Sequence, residues 1–337
     1  MATNEQIGDV SALESCIGKT PGPMHLKVID HLDAGAVRWL AASSLMFAGF
    51  ASSDGVAVSL GGGRAGFAEV VDPSRVRVPT AMLDDPAVAR EGQGVGTLFL
   101  IPTIGETLRI NGRVASVDRD AVGIDVEECY IHCAKALIRS EFWKPDAHTA
   151  PFPEPEAYLA ACRFIALATG DAASRADLSP KGDPAGAMIR PSGNAVWFAD
   201  RPGNRRADSF RNMLSQPRVA VAALMPGTTR IAFVSGRAEL TTDADIRASF
   251  AVQGKTPLMA TRIVQPQIVL RDSPALERAR PWPARAPAEA IDPAAIIAGH
   301  VRLSRERGLQ ATLVRTAVSV PGLMRRGLER DYKTNLY

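Results

Sequence analysis

The chain repeats itself, and the repeat limits its fold more than any other feature. Ser59-Leu-Gly-Gly-Gly-Arg-Ala-Gly66 matches Ser179-Pro-Lys-Gly-Asp-Pro-Ala-Gly186 at Ser, Gly, Ala and Gly. Further on, Ile101-Pro102 leads to Gly112-Arg113, and Met225-Pro226 leads to Gly236-Arg237 with the same spacing. Two anchored blocks in the same order favour duplication over chance. Between the anchors the first copy is four residues shorter. The shortfall lies where the second copy carries Asp200-Arg-Pro-Gly-Asn-Arg-Arg-Ala-Asp-Ser-Phe-Arg211, and where the first has the acidic Thr80-Ala-Met-Leu-Asp-Asp-Pro86.

Within each copy, short apolar runs are separated by turn residues. Residues 1 to 29 carry little pattern and are expected to be an irregular arm. Asp30 to Ala42 reads as a helix with Leu32, Ala36, Trp39 and Leu40 on one face. Leu45 to Ala51 and Val56 to Leu60 read as strands joined by a Ser53-Asp-Gly55 hairpin turn. The order restarts near Tyr158, with Phe164 to Thr169 as the next strand. Glu106 to Ile110 and Arg230 to Val234 partly alternate, as half-buried barrel walls do. The predicted class is mainly β (α+β): two tandem small β-barrels forming a pseudo-dimer, with a C-terminal helical segment. The expected division is an arm and helix over 1–37, a first barrel over 38–144, a Pro-rich linker over 145–157, a second barrel over 158–280 and a helical segment over 281–337. Pro145, Pro151, Pro153 and Pro155 mark the linker, and Pro281, Pro283 and Pro287 mark the last boundary.

Composition removes several function classes. The 337 residues are 46% hydrophobic and 22% charged, enough to bury a good core. A net charge of +3 is too small to argue for a nucleic-acid surface. The N-terminus lacks a basic region followed by an apolar core, and no apolar run reaches bilayer length, so neither export nor a membrane is expected. Cys16, Cys129, Cys133 and Cys162 show no CxxC, as expected of reduced thiols in a cytoplasmic protein. Cys129, His132 and Cys133 lack a fourth ligand at a useful spacing, so no metal is expected.

The arginine-rich turn carries the chemistry. It joins a predicted strand, Ala195 to Ala199, to a predicted helix that begins near Ser209. Pro202-Gly203 forces the turn, and Asp208 or Ser209 can cap the helix. Free N–H groups at a helix start, together with guanidinium forks, make an anion site, and phosphate fits those forks best. The plain alternative is a solvated basic turn.

Three stretches are familiar. Asp177-Leu-Ser-Pro-Lys-Gly-Asp183 followed by Phe198 to Ser209, Ile101 to Arg113, and Glu127-Glu-Cys-Tyr-Ile-His-Cys-Ala-Lys-Ala-Leu-Ile-Arg-Ser-Glu-Phe-Trp143 resemble the FMN-binding proteins related to pyridoxamine 5′-phosphate oxidase. The resemblance covers roughly residues 40 to 144 and 158 to 280. It implies a split β-barrel, normally a homodimer with FMN at the subunit interface. Here the lysine block and the arginine turn are intact in the second copy, while the Gly-Glu-Thr-Leu-Arg strand and the His-Cys-Ala-Lys-Ala segment are intact in the first. Two half-degenerate copies would leave one complete site and one dead one. The partner of His-Cys-Ala-Lys-Ala in the second copy is expected near Gly254-Lys-Thr-Pro257. The chain would then be a monomeric pseudo-dimer or a homodimer.

The resemblance assigns the roles. Arg205, Arg206 and Ser209 would hold the FMN phosphate, Ser179 and Lys181 would run along the flavin, and Phe198 and Asn204 would add contacts. Thr107 and Arg109 share one strand face and would cover the ring or the substrate. His132 and Lys135 are the candidates for substrate contact or proton transfer. Histidine in a Tyr-Ile-His-Cys-Ala run also reads as a satisfied near-core residue. The expected activity is an FMN-dependent oxidoreductase acting on a small-molecule substrate or electron donor. A non-catalytic flavin- or tetrapyrrole-binding module is the alternative. Oxidation of pyridoxamine phosphate itself would need a second phosphate site, and the barrels show no second arginine cluster in sequence.

Overall fold

A computed structural model describes residues 5–20, 22–146, 154–203, 206–320 and 322–337. Asn204, Arg205 and most of the Pro-rich linker lie outside the described residues. A short strand β1 (Gln6–Ile7) and helices α1 (Val10–Ile17) and α2 (Ala34–Ala42) precede the first sheet. That sheet holds β2 (Leu45–Ser52), β3 (Gly55–Gly62), β4 (Glu69–Asp72), β5 (Arg75–Pro79), β6 (Gly94–Leu100), β7 (Thr107–Val117) and β8 (Ala121–His132). Helices α3 (Lys135–Arg139) and α4 (Pro155–Ala161) lead to the second sheet. It holds β9 (Phe164–Gly170), β10 (Ala176–Gly182), β11 (Arg190–Ser192), β12 (Ala195–Ala199), β13 (Arg218–Leu224), β14 (Arg230–Thr241) and β15 (Ala260–Asp272). Helix α5 (Asp208–Ser215) lies between β12 and β13, and α6 (Ala244–Ser249) between β14 and β15. The chain ends in α7 (Pro274–Ala279), α8 (Pro293–Leu303), α9 (Leu309–Val318) and α10 (Leu323–Thr334).

The duplication is visible in the topology. The first sheet runs β3-β2-β6-β7-β8-β5-β4 and the second runs β10-β9-β13-β14-β15-β12-β11, the same order strand for strand. Each sheet wraps a core of its own. Met46, Val76, Val95, Ile110 and Ile124, from five strands of the first sheet, meet in one cluster. Ile165, Val196, Val221, Val234 and Ile263 do the same in the second. The fold is thus two tandem β-barrels, as the repeat predicts. The missing four residues also fall where expected, since the stretch that forms α5 in the second copy is a short 3-10 turn, Pro86–Val88, in the first.

A third core joins the barrels. Leu45, Phe47, Leu98 and Leu100 from the outer face of the first pack on Phe164, Ala166, Ala220 and Leu224 from the outer face of the second. Along β2 the odd positions face this seam and the even positions face the barrel interior, so every residue from Leu45 to Ala51 is buried. This corrects the half-buried walls expected of Glu106 to Ile110: Thr107 to Ile110 are all buried, because the second barrel covers the face that a lone barrel would show to water. Each Phe or Leu buried in the seam contributes roughly 1.5–3 kcal/mol. The close approach demands small residues. A Cβ on Gly94 would stand 2.1 Å from the Ser174 carbonyl oxygen of the other barrel.

The terminal segments cross over. The N-terminal residues are not an irregular arm: Asp9 caps α1, β1 pairs with β14, and Leu13 enters the second core. The C-terminal helices instead cover the first barrel, with Ile296, Ile297, Val301 and Val318 in its core. Many of their arginines are exposed, as expected of a solvated face. Two further corrections concern helix starts. The helix predicted from Asp30 begins at Ala34, because the Asp33 carboxylate caps it by accepting from the Ala36 N–H at 2.8 Å. Pro155 opens α4 rather than extending the linker, since a proline has no N–H to lose in a first turn.

Candidate functional site

The strand ends of both barrels converge on a cleft of about 370 Å³. Its second-barrel wall is the end of β10, with Ser179 and Lys181, and the turn that leads into α5. Its first-barrel wall is Arg109 on β7, His132 at the end of β8, and Lys135 and Arg139 on α3. The fold therefore gathers Arg109, His132, Lys135, Ser179, Lys181, Arg206 and Ser209 from the predicted set. Thr107 pairs with His132 across β7 and β8, so the two share a sheet face, and Thr107 lies buried behind the cleft. Phe198 is the exception. It is fully buried in the second core and offers its ring face to the Lys181 ammonium 5.9 Å away, so it supports the lysine instead of lining the cleft.

Arg109 holds the two walls together. Its guanidinium is 2% exposed and bonds Asp177 of the second barrel at 2.7 Å. It also donates to the Tyr130 hydroxyl at 2.8 Å and to the Leu178 carbonyl. Arg206 crosses in the opposite direction: it belongs to the second barrel, stacks 4.7 Å from the Tyr130 ring and meets Glu128 at 3.6 Å. It also bonds Asp208 at 2.6 Å. Burial and the neighbouring Asp177 push the Asp208 carboxyl upward. The expected cap is corrected here. The N-cap is Ala207, in a left-handed conformation (φ 59°), with no side-chain cap. Asp208 is already helical and its carboxylate turns to Arg206, while the Ser209 hydroxyl pairs with that of Ser179 at 2.9 Å. Lys181 pairs with Asp200 at 3.4 Å and lies 4.6 Å from the Phe210 ring.

His132 is neutral in this setting. Burial, then the positive charges of Arg109 and Lys27, hold its imidazole well below the usual range. Its Nδ1 lies 3.3 Å from the Cys133 carbonyl, which fixes the proton there and leaves Nε2 as an acceptor. The strand ends at His132, the helix starts at Lys135, and both line the cleft.

Sequence reasoning missed one juxtaposition. Lys135 and Arg139 of α3 meet Arg201 of the arginine-rich turn in the cleft, and only the fold brings these two segments, one from each barrel, together. Arg201 bonds Asp183 at 2.6 Å. Lys27 was missed as well. Its ammonium donates to the Ile131 carbonyl at 2.8 Å, and burial lowers its pKa to about 8.

The residues suit an anionic group with hydrogen-bond acceptors. Thr107 Oγ1 and Arg109 Nε are buried polar atoms with no hydrogen-bond partner among the described residues. A bound group with acceptors would satisfy such atoms. Ser209, near the start of α5, and the arginine turn offer donors suited to a phosphate.

Comparison with known proteins follows this geometry. Residues 152–278 match the family model described as pyridoxamine 5′-phosphate oxidase. The search of curated proteins found no match. Among solved structures, HupZ of Group A Streptococcus is 15% identical, over 37% of this chain and 96% of its own, with a TM-score of 0.30. A protein described as F420 reductase is 16% identical over 36% of this chain and 98% of its own, with a TM-score of 0.27. HutZ of Vibrio cholerae, described as a heme storage protein, is 14% identical over 36% and 93%, with a TM-score of 0.25. At such scores these likenesses carry no argument. The sequence match does, and over residues 152–278 the chain matches the pyridoxamine 5′-phosphate oxidase family that its lysine block and arginine turn resemble.

Proposed function

We propose that the cleft binds FMN and that the chain is an FMN-dependent oxidoreductase acting on a small substrate or electron donor. One observation carries the reading: a single cleft is walled by the phosphate-type donors of one barrel and by His132 and Lys135 of the other. In this reading Arg205 and Arg206 hold the phosphate through charge-assisted hydrogen bonds, Ser209 adds a hydroxyl, and Asn204 adds a secondary contact. Ser179 and Lys181 hold the ring, and Thr107 and Arg109 supply the buried donors behind it. Bound FMN would supply a hydride acceptor, and the chain supplies binding and orientation. His132, neutral with Nε2 free to accept, suits taking a proton from a substrate. The test is anaerobic mixing of FMN-loaded protein with NADH, NADPH or pyridoxamine phosphate. Bleaching of the flavin by one of them is expected, and no bleaching by any would remove the oxidoreductase reading.

A non-catalytic tetrapyrrole-binding module is the second reading. The observation in its favour is the same neutral His132, a nitrogen ligand of the kind a haem iron takes. Parallel titration with FMN and haemin, followed by absorbance, separates the two.

A further inference from the structure

Two cations of the cleft take their partners from the C-terminal segment. Lys135 is 4% exposed, and among the described residues the carboxylate that reaches its ammonium is Asp331 on α10, at 2.9 Å. Arg139 is 8% exposed, and its Nε donates to the Leu336 carbonyl at 2.6 Å. Beyond α10, the Tyr337 ring lies in the cleft, 5.4 Å from the Arg139 guanidinium and 5.6 Å from that of Arg201. Upstream, the Tyr332 hydroxyl accepts from the Ala134 N–H at 3.2 Å and donates to Glu106 at 3.0 Å.

The segment is held mostly by these polar contacts. Among the described residues of α10 none is buried, and Met324 and Leu328 pack only partly on the first core. A helix so placed opens more readily than the barrels beneath it. Its departure would strip the counter-charge from Lys135 and the Nε acceptor from Arg139, which keeps the Pro202 carbonyl. Loss of the Lys135 counter-charge disfavours opening, and an anion that takes the segment's place restores it.

We propose that residues 323–337 form a displaceable plug, in which Asp331 and the Leu336 carbonyl occupy the place of an oxyanion-bearing ligand at Lys135 and Arg139. The plug and the ligand exclude each other, so the segment sets the apparent affinity of the cleft for its anionic substrate. This deepens the reading of the cleft as a ligand site but does not require the flavin.

The test uses the full chain without FMN, titrated separately with succinate and with inorganic phosphate. Asp331→Asn weakens the plug and should bind one of these anions roughly tenfold more tightly than wild type, because the competent state is populated more often. Adding Lys135→Ala should abolish that gain. A gain that survives Lys135→Ala would place the anion elsewhere, such as at the arginine turn, and would overturn the proposal. So would equal affinity in Asp331→Asn and wild type. In unmodified protein, a saturating concentration of the better anion should speed amide exchange in α10, and unchanged protection would contradict a plug. The carboxylate or phosphate that binds more tightly names the ligand's headgroup. Failure of FMN to bind in a separate titration would leave these outcomes intact.

Discussion

Each copy builds an equivalent corner at the seam, and the two corners differ in what they keep. Each begins with a short helix after the last strand of one barrel, laid over a glycine of the other. The Ala136 carbonyl of α3 sits over Gly182, and the Ala275 carbonyl of α7 sits over Gly62. Each helix sends an arginine to the same place: Arg139 donates to the Pro202 carbonyl just past β12, and Arg278 donates to the Met82 carbonyl just past β5. These shared features are backbone packing. The polar groups are not shared. Lys181 corresponds to Gly61, Lys135 to Pro274, Arg109 to Phe233 and Thr107 to Ile231. Where the second copy has its arginine turn, the first has Asp84, whose carboxylate accepts from the Ser273 hydroxyl and the Ala275 N–H at the start of α7. The first copy's cleft is thus closed by an internal anion and apolar side chains. The glycine and the arginine recur in both copies, whereas the lysine, the threonine and the turn stand in one.

The largest effect expected is at the bridge between the barrels. Arg109→Ala leaves Asp177 buried without its partner and should destabilise by about 3–5 kcal/mol in denaturant unfolding. The corresponding Phe233→Ala should be milder, because Phe233 is only partly buried. Equal losses would break the contrast between a charged bridge and an apolar filler.

Next come the shared glycines. An alanine Cβ would stand 1.8 Å from a carbonyl oxygen at position 182 and 2.4 Å at position 62. Gly182→Ala and Gly62→Ala should each lower stability by about 1–3 kcal/mol. If Gly62→Ala were neutral in thermal unfolding, the helix-over-glycine packing would not be common to both copies.

The pH response should also separate the clefts. His132 has a folded pKa below its unfolded value of about 6.5. A lowered histidine pKa means that the unfolded chain binds the proton first. The contribution is therefore fully present above about pH 6.5 and is lost as pH falls below it. Wild type should lose stability relative to His132→Gln between about pH 6.5 and pH 5, whereas a change at Arg271, the position that corresponds to His132, should not alter that slope. A parallel decline of wild type and His132→Gln would contradict the neutral assignment.

The smallest effect expected is on stability at Lys181. Lys181 and Asp200 are mostly buried, but both line the cleft and their 3.4 Å pair is long, so water can replace the ammonium and Lys181→Ala should change stability by about 1 kcal/mol or less. The same change should weaken FMN measurably in a fluorescence titration.

Most of the scaffold was legible because period and spacing act locally. The aligned blocks, the apolar strand runs and the strand–turn–helix around Asp200 to Arg211 each carry their own signal. What stayed hidden depended on contact between distant segments. The true counterpart of His-Cys-Ala-Lys-Ala is Arg271-Asp-Ser-Pro-Ala275, not the Gly254 region, and only the equivalent placement of α3 and α7 reveals it. Lys27, Asp331 and Tyr337 have no local motif: Lys27 reaches the Ile131 carbonyl beside His132, and Asp331 and Tyr337 come to Lys135 and Arg139 from the C-terminal segment. Thr107 and Phe198 read alike as strand residues, yet the seam places one behind the cleft and the other in a core.

The central claim is one live cleft per pair of barrels, and FMN stoichiometry tests it most directly. Ligand-free protein titrated with FMN, with bound flavin measured by absorbance against chain concentration, should saturate at one FMN per chain. Lys181→Ala should weaken that binding, and Gly61→Lys should not create a second site. Saturation at two per chain, or binding indifferent to Lys181, would contradict the account.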